Sequence, residues 1–217
     1  MNDSLKRREA MLDGQIRPNR VTDERICEAL RAVPREPFLP RELRGVAYLD
    51  EDIPIGGGRF LMEPVVFARI LQAAEIGPDD LVLDIGCGSG YSSAVLSHLA
   101  SAVVALESDA ALAERANANL AELGIDNVAV IEGALSEGCA KQGPFDVIFL
   151  NGGVEELPQS LLGQLAEGGR LMAVERRHGV GKAMRYANID GLVGATELFD
   201  AQVPSLPGFE KAPGFVF

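Results

Sequence analysis

Between residues 81 and 174 short apolar runs alternate with amphipathic stretches. Leu81–Ile85, Ala102–Leu106, Val128–Ile131, Asp146–Leu150 and Leu171–Val174 read as strands. Tyr91–Ala100 reads as a helix, and a second helix starts at Asp109 with Leu112, Ala116, Leu120 and Leu123 on one face and Gly124 as its stop. A third covers Pro158–Leu165 and is stopped by Gly168-Gly169. Strands apolar on both faces and separated by helices predict a parallel sheet covered on both sides. After Val174 the pattern changes. Gly179–Gly181 and Asp190-Gly191 mark turns between short strands, which predicts antiparallel hairpins at the sheet edge.

The first third of the chain is different. Lys6–Gln15 is a charged helical stretch, and Thr22 caps a helix whose face is Ile26, Ala29, Leu30 and Val33, ended by Pro34. Four prolines (34, 37, 40 and 54) and Gly56-Gly57-Gly58 make 34–58 a loop with at most short strands. Glu63-Pro64 opens a further helix with Phe67, Ile70, Leu71 and Ala74 on one face. The expectation is one α/β domain over 1–217. It has a helical and loop cap (1–75), a Rossmann-like core (76–175), and edge strands with a tail (176–217).

Composition narrows the function classes. Apolar residues at 47% and charged ones at 24% exclude a disordered chain. A net charge of −12, with only the short basic pieces Lys6-Arg7-Arg8 and Arg176-Arg177, disfavours a nucleic-acid partner. Cys27, Cys87 and Cys139 lie far apart, with neither disulfide nor metal-ligand spacing, as in a reducing compartment. The MNDSLKRREAM start lacks the apolar core of a signal peptide, and no run of ~18 apolar residues occurs, so a cytoplasmic protein without a membrane span is expected.

The chemistry concentrates in Val82-Leu83-Asp84-Ile85-Gly86-Cys87-Gly88-Ser89-Gly90-Tyr91. A strand ends in Gly-x-Gly-x-Gly and runs directly into a helix, where ligands of open α/β sheets bind. The third glycine comes one residue too early for a dinucleotide fingerprint. Asp84 would also repel a pyrophosphate, whereas it would attract the ammonium and sulfonium of S-adenosylmethionine. Glu107, at the end of the second strand, suits a ribose diol as a hydrogen-bond acceptor. The plain alternative is a set of tight strand-to-helix turns.

These residues resemble the class I S-adenosylmethionine-dependent methyltransferases. The wider chain resembles the protein-L-isoaspartate (D-aspartate) O-methyltransferase family. The resemblance covers about 22–175 and rests on Asp23-Glu24-Arg25, Val33-Pro34-Arg35-Glu36-Pro37-Phe38-Leu39-Pro40, Ala47-Tyr48, Ile53-Pro54-Ile55-Gly56-Gly57-Gly58, Asp84–Tyr91, Phe145-Asp146-Val147-Ile148 and Glu156-Leu157-Pro158. It implies a cofactor site of Asp84, Gly86, Cys87, Gly88, Gly90 and Tyr91, with Glu107 and Ser108 at the ribose and Gly133 and Ala134 at the adenine. It also implies that loop 55–64 folds over the site and presents the acceptor.

That loop departs from the family. The pattern Gly-x-Gly-x-Thr-Ile-Ser-x-Pro reads here Gly56-Gly57-Gly58-Arg59-Phe60-Leu61-Met62-Glu63-Pro64, so both hydroxyls are replaced. The Gly-Asp-Gly after the third strand is Gly133-Ala134-Leu135, and the Thr-Ala-Ala after the fourth is Asn151-Gly152-Gly153. Arg59, Phe60, Met62, Glu63 and Asn151 are therefore the candidate acceptor-facing residues. Arg59 is either part of a surface ion pair or a fork for an acceptor carboxylate. No catalytic base is identified, and an ionised carboxylate acceptor needs none. His98, in the last turn of its helix, His178, in a turn, and Cys87 read as structural or solvated.

The expected function is methyl transfer from S-adenosylmethionine to a carboxyl or other oxygen of a protein, peptide or small molecule. The rivals are an apolar small-molecule acceptor and a non-catalytic cofactor-binding protein.

Overall fold

The computed structural model describes residues 3–177 and 180–211. The chain opens with α1 (Asp3–Met11), a turn of wider helix over Leu12–Ile16, and α2 (Glu24–Ala32). Asp23, not Thr22, caps α2, because its carboxylate accepts the Arg25 N–H at 2.9 Å. Thr22 instead donates its backbone N–H to Gln72 at 2.6 Å. Asp23→Ala should cost about 1 kcal/mol, typical of a lost helix cap, and lower the urea midpoint at unchanged m.

Two short 3₁₀ turns (Glu36–Phe38 and Arg41–Val46) lead to a ribbon of β1 (Ile53–Gly56) and β2 (Arg59–Leu61). Next comes α3 (Pro64–Ala74), with Pro64 in its first turn as expected. Buried Arg35 donates to Ala47 O at 2.7 Å and Met62 O at 2.9 Å, which fixes where the ribbon ends.

The core follows as β3 (Leu81–Ile85), α4 (Tyr91–Leu96), β4 (Ala102–Glu107), α5 (Ala110–Glu122) and β5 (Val128–Glu132). After it come β6 (Phe145–Val154), α6 (Gln159–Leu162), β7 (Leu165–Arg177), β8 (Val180–Ile189) and β9 (Leu192–Asp200). Seven strands form one sheet in the order β5-β4-β3-β6-β7-β8-β9. It is parallel from β5 to β7 and antiparallel from β7 to β9. This is the class I methyltransferase sheet expected above, with the antiparallel edge and the N-terminal helices in place. The turn at Asp190-Gly191, both left-handed (φ 53° and 74°), closes the last hairpin.

Three expectations need correction. The helix read over Pro158–Leu165 ends at Leu162, and β7 begins at Leu165. Gly168-Gly169 is therefore a kink inside β7 rather than a helix stop. Between Phe145↔Leu165 and Val147↔Arg170 the register slips, and a Cβ on Gly169 would stand 2.8 Å from the Phe145 carbonyl oxygen. The helix read over Tyr91–Ala100 ends at Leu96, so His98 lies in the turn beyond it. The last two strands are also not short, since β8 and β9 have 10 and 9 residues. His178 and Gly179 lie outside the described residues.

An aromatic chain joins the N-terminal cap to the sheet. Tyr91 meets Phe38 edge-on at 5.4 Å and Phe67 at 5.7 Å, and Phe67 meets Phe149 at 5.6 Å. Such contacts add about 0.5–1.5 kcal/mol each beyond area burial. At the other end, 201–209 folds back along β6. Gly153 N donates to Pro204 O at 2.7 Å and Leu206 N to Gly153 O at 2.8 Å. Arg176, in one of the short basic pieces, is half-buried and hydrogen-bonds the Ser205 hydroxyl. The ribbon, the glycine turn after β3 and this returning segment surround one spot.

Candidate functional site

Asp84, the penultimate residue of β3, is fully buried. Its carboxylate accepts from the Ser92 and Ser93 hydroxyls at 2.7 and 2.5 Å, and from the Asn151 amide. Ser92 and Ser93 belong to the first turns of α4, so the strand end and the helix start are tied through this acid. Burial pushes Asp84 up to about 6, against the three hydrogen bonds, with Glu107 adding to the rise.

Gly86, Gly88 and Gly90 all have positive φ (76°, 57° and 96°), a backbone that side chains rarely adopt. Space is short as well. A Cβ on Gly88 would stand 2.5 Å from Ile55 Cδ1, and one on Gly86 2.4 Å from Arg59 Nη2. The β1–β2 ribbon therefore lies directly on the glycine turn.

Glu107, at the end of β4, is fully buried and heavily hydrogen-bonded. One carboxylate oxygen accepts Gly88 N–H at 2.7 Å, and the other accepts the N–H groups of Ser108 at 2.8 Å and Asp109 at 3.1 Å. Gly133 N donates to the Glu107 carbonyl at 3.0 Å, which brings Gly133 and Ala134 beside this acid. The backbone thus presents Asp84, the glycine turn, Glu107-Ser108 and Gly133-Ala134 at the carboxyl ends of three adjacent strands.

Arg59 is not the surface ion-pair residue that was one of its two readings. It is 3% exposed, donates to Gly86 O at 2.6 Å and stands 3.5 Å from the Glu107 carboxylate. Its Nη1 is buried with no hydrogen-bond partner among the described residues. Burial pulls its pKa down, and the charge of Glu107 opposes this.

Cys87 is buried, and burial together with Asp84 and Glu107 drives its thiol well above the usual range. That is the opposite of a reactive thiolate. The Tyr91 ring faces the aromatic chain and borders a small cavity with Ile55, Phe60, Met62, Gly86 and Asn151.

A second, narrow cavity adjoins it between the ribbon and the returning C-terminal segment. Arg59, Phe60, Met62, Asn151, Gly152 and Pro204 are among its walls. Phe60 is 37% exposed at its mouth and Met62 is buried. Glu63, just before α3, is pushed up to about 7 by burial and by Asp52 and Asp50.

Two features escaped the sequence reading. Asp52 and Asp50 accept the Glu63 and Val65 N–H groups, both at 3.0 Å, and so cap α3 from a distance. Their separation in sequence hides them from local capping patterns. Val203, Pro204 and Ser205 wall the second cavity and Leu206 lies against Gly86, with no hydrophobic period to announce either.

No group of three or more His, Cys, Asp or Glu residues suited to a metal ion occurs among the described residues. No described helix is long and apolar enough to cross a membrane.

Comparison with known proteins agrees with this geometry. The sequence model of the family described as Protein-L-isoaspartate(D-aspartate) O-methyltransferase (PCMT) matches residues 6–197. A protein-L-isoaspartate O-methyltransferase of Koribacter versatilis (strain Ellin345) is 43% identical over 165 residues, 76% of this chain and 74% of the relative. One from Methanoculleus marisnigri is 40% identical over 168 residues, 77% of this chain and 76% of the relative. A solved protein-L-isoaspartate O-methyltransferase superposes with a TM-score of 0.81 at 27% identity, covering 93% of this chain and 66% of its own. A Plasmodium falciparum structure, in complex with S-adenosyl-L-homocysteine, gives 0.80 at 22% identity over 95% of this chain and 99% of its own, and bears on the fold alone.

Proposed function

The chain belongs to the protein-L-isoaspartate (D-aspartate) O-methyltransferase family of S-adenosylmethionine-dependent enzymes, and from that premise we propose that it methylates a carboxylate or other oxygen acceptor. The observation that carries the reading is the pair of buried acids, Asp84 and Glu107, on either side of a glycine turn at the carboxyl ends of β3 and β4. The donor set fits the cofactor. Two carboxylates suit a ligand with a sulfonium, an ammonium and a ribose diol, and three left-handed glycines allow close backbone approach.

Asp84 with Gly86, Cys87, Gly88, Gly90 and Tyr91 would hold the methionine end. Glu107 and Ser108 would hold the ribose, and Gly133 and Ala134 would border the adenine. When bound, S-adenosylmethionine supplies an electrophilic methyl group. The chain's own part is alignment and exclusion of water. Phe60, Met62, Val203 and Pro204 supply the apolar part of the adjoining cavity's wall, and Asn151, which also lines it, donates to Asp84. A carboxylate acceptor is ionised at neutral pH and needs no base, so orientation in a dry cleft supplies the rate.

The aromatic chain between cap and core, together with the pairing of β8 on β7 and the return of 201–209 along β6, supports reading the cap 1–75, the core 76–175 and the segment 176–217 as one domain. The net charge of −12 supports an acceptor other than nucleic acid, and three buried free thiols support a cytoplasmic setting. Phe60 and Met62 favour a second reading, in which the acceptor is a small apolar molecule rather than a peptide.

Calorimetry with S-adenosylhomocysteine tests the site. Asp84→Ala should weaken binding by about 1.5–3 kcal/mol, as for a lost hydrogen bond to a charged group. Glu107→Ala should weaken it more than Glu107→Asp does. Unchanged affinity in Asp84→Ala removes that assignment, and tighter binding of a nicotinamide dinucleotide than of S-adenosylhomocysteine overturns the whole reading.

A further inference from the structure

Arg59 is a charged side chain in the wrong place for a surface loop residue. Its guanidinium lies under the ribbon, 2.6 Å from Gly86 O and 3.5 Å from the Glu107 carboxylate, in the spot where the two acids converge. We propose that Arg59 is a built-in competitor for the cofactor: a cation on the β1–β2 ribbon that holds Gly86 O and Glu107 until the cofactor displaces it. It thereby sets cofactor affinity. The inference rests on the reading of the glycine turn and Glu107 as the cofactor site.

A pocket with two buried carboxylates favours a cationic occupant. Arg59 is such an occupant supplied by the chain itself, and a cofactor carrying a sulfonium, an ammonium and a ribose diol needs the same acceptors. Glu107 cannot serve both fully, because Gly88, Ser108 and Asp109 already take much of its lone-pair capacity.

The arginine is also held loosely for a buried charge. It has one short hydrogen bond, one ion pair beyond hydrogen-bond range and a buried Nη1 with no partner among the described residues. Such a group is displaceable, because leaving the pocket restores its lost solvation. Removing Arg59 does not strand Glu107, whose three backbone donors remain.

The sign of one measurement decides. If Arg59 competes, S-adenosylhomocysteine should bind Arg59→Gln and the length-preserving Arg59→Met at least tenfold more tightly than wild type by calorimetry. Unchanged or weaker binding in both variants, with wild type binding, overturns the competition and leaves the cofactor site standing. Failure of wild type and both variants to bind overturns the cofactor site and the competition with it.

A readout on the unmodified chain covers variants that do not fold. Saturating S-adenosylhomocysteine should speed solvent exchange of the Arg59 Nη protons, since they leave Gly86 O. Unchanged or slower exchange in the saturated complex overturns the proposal.

Discussion

An isoaspartyl peptide is expected to be methylated at least about a hundredfold more slowly by this chain than by a family member with both loop hydroxyls. Removing one oriented donor that acts on the transition state typically costs about 10²–10³ in rate. The family pattern places Thr and Ser where this chain has Phe60 and Met62. Both side chains line the cavities beside the glycine turn, where the family's hydroxyls would face the acceptor. The apolar walls act on binding too, because a peptide amide buried against them without a partner costs about 1–3 kcal/mol. The double variant Phe60→Thr with Met62→Ser should raise the peptide rate. The assay compares wild type, the double variant and an authentic family enzyme side by side with labelled cofactor. A wild-type rate equal to that of the family enzyme would show that backbone groups of the ribbon do the work.

What the sequence made legible follows from where its signals are local. Leu81–Ile85 is legible to the residue because a strand buried on both faces is an apolar run, here interrupted only by Asp84, with a glycine turn after it. Asp84 and Glu107 stand out because they are acids in the last two positions of such strands. Gly152 and Gly153 read as a loop after the fourth strand, yet they continue β6 because Pro204 and Leu206 pair with Gly153 from fifty residues away.

Gly168-Gly169 misled in the same manner. A glycine pair serves a strand kink as well as a helix stop, and only the Phe145 carbonyl facing Gly169 decides between them. The burial of Arg59 was hidden for an energetic reason. Arginine in a glycine-rich loop is ordinarily solvated, and only two acids brought together by the sheet make a buried position tolerable.

Asp84→Asn is expected to abolish a stability loss of about 3 kcal/mol that wild type suffers between pH 3.5 and pH 7. The fold raises this carboxyl from its ordinary 3.8 to about 6, chiefly through burial. A raised folded-state pKa means that the native chain holds a proton which the unfolded chain releases at lower pH. The stability from that proton is fully present below about pH 3.8. It declines as pH rises and is gone once pH passes through about 6. The interval between 3.8 and about 6 corresponds to about 3 kcal/mol.

Asparagine carries no such charge, and its neighbours can accommodate it. The Ser92 and Ser93 hydroxyls can turn to accept from its amide, and Asn151 can present its oxygen. Urea unfolding of both chains across this range isolates the effect, because Asp23, Asp52 and Glu63 titrate alike in each. The wild-type stability should fall relative to Asp84→Asn by about 3 kcal/mol as pH rises, and a difference that stays flat would remove the perturbed carboxyl. The same variant should bind S-adenosylhomocysteine more weakly, since the charge that costs the fold stability at neutral pH is the one proposed to face the ligand's ammonium group. Stability gained together with affinity lost marks an acid kept for binding rather than for the fold.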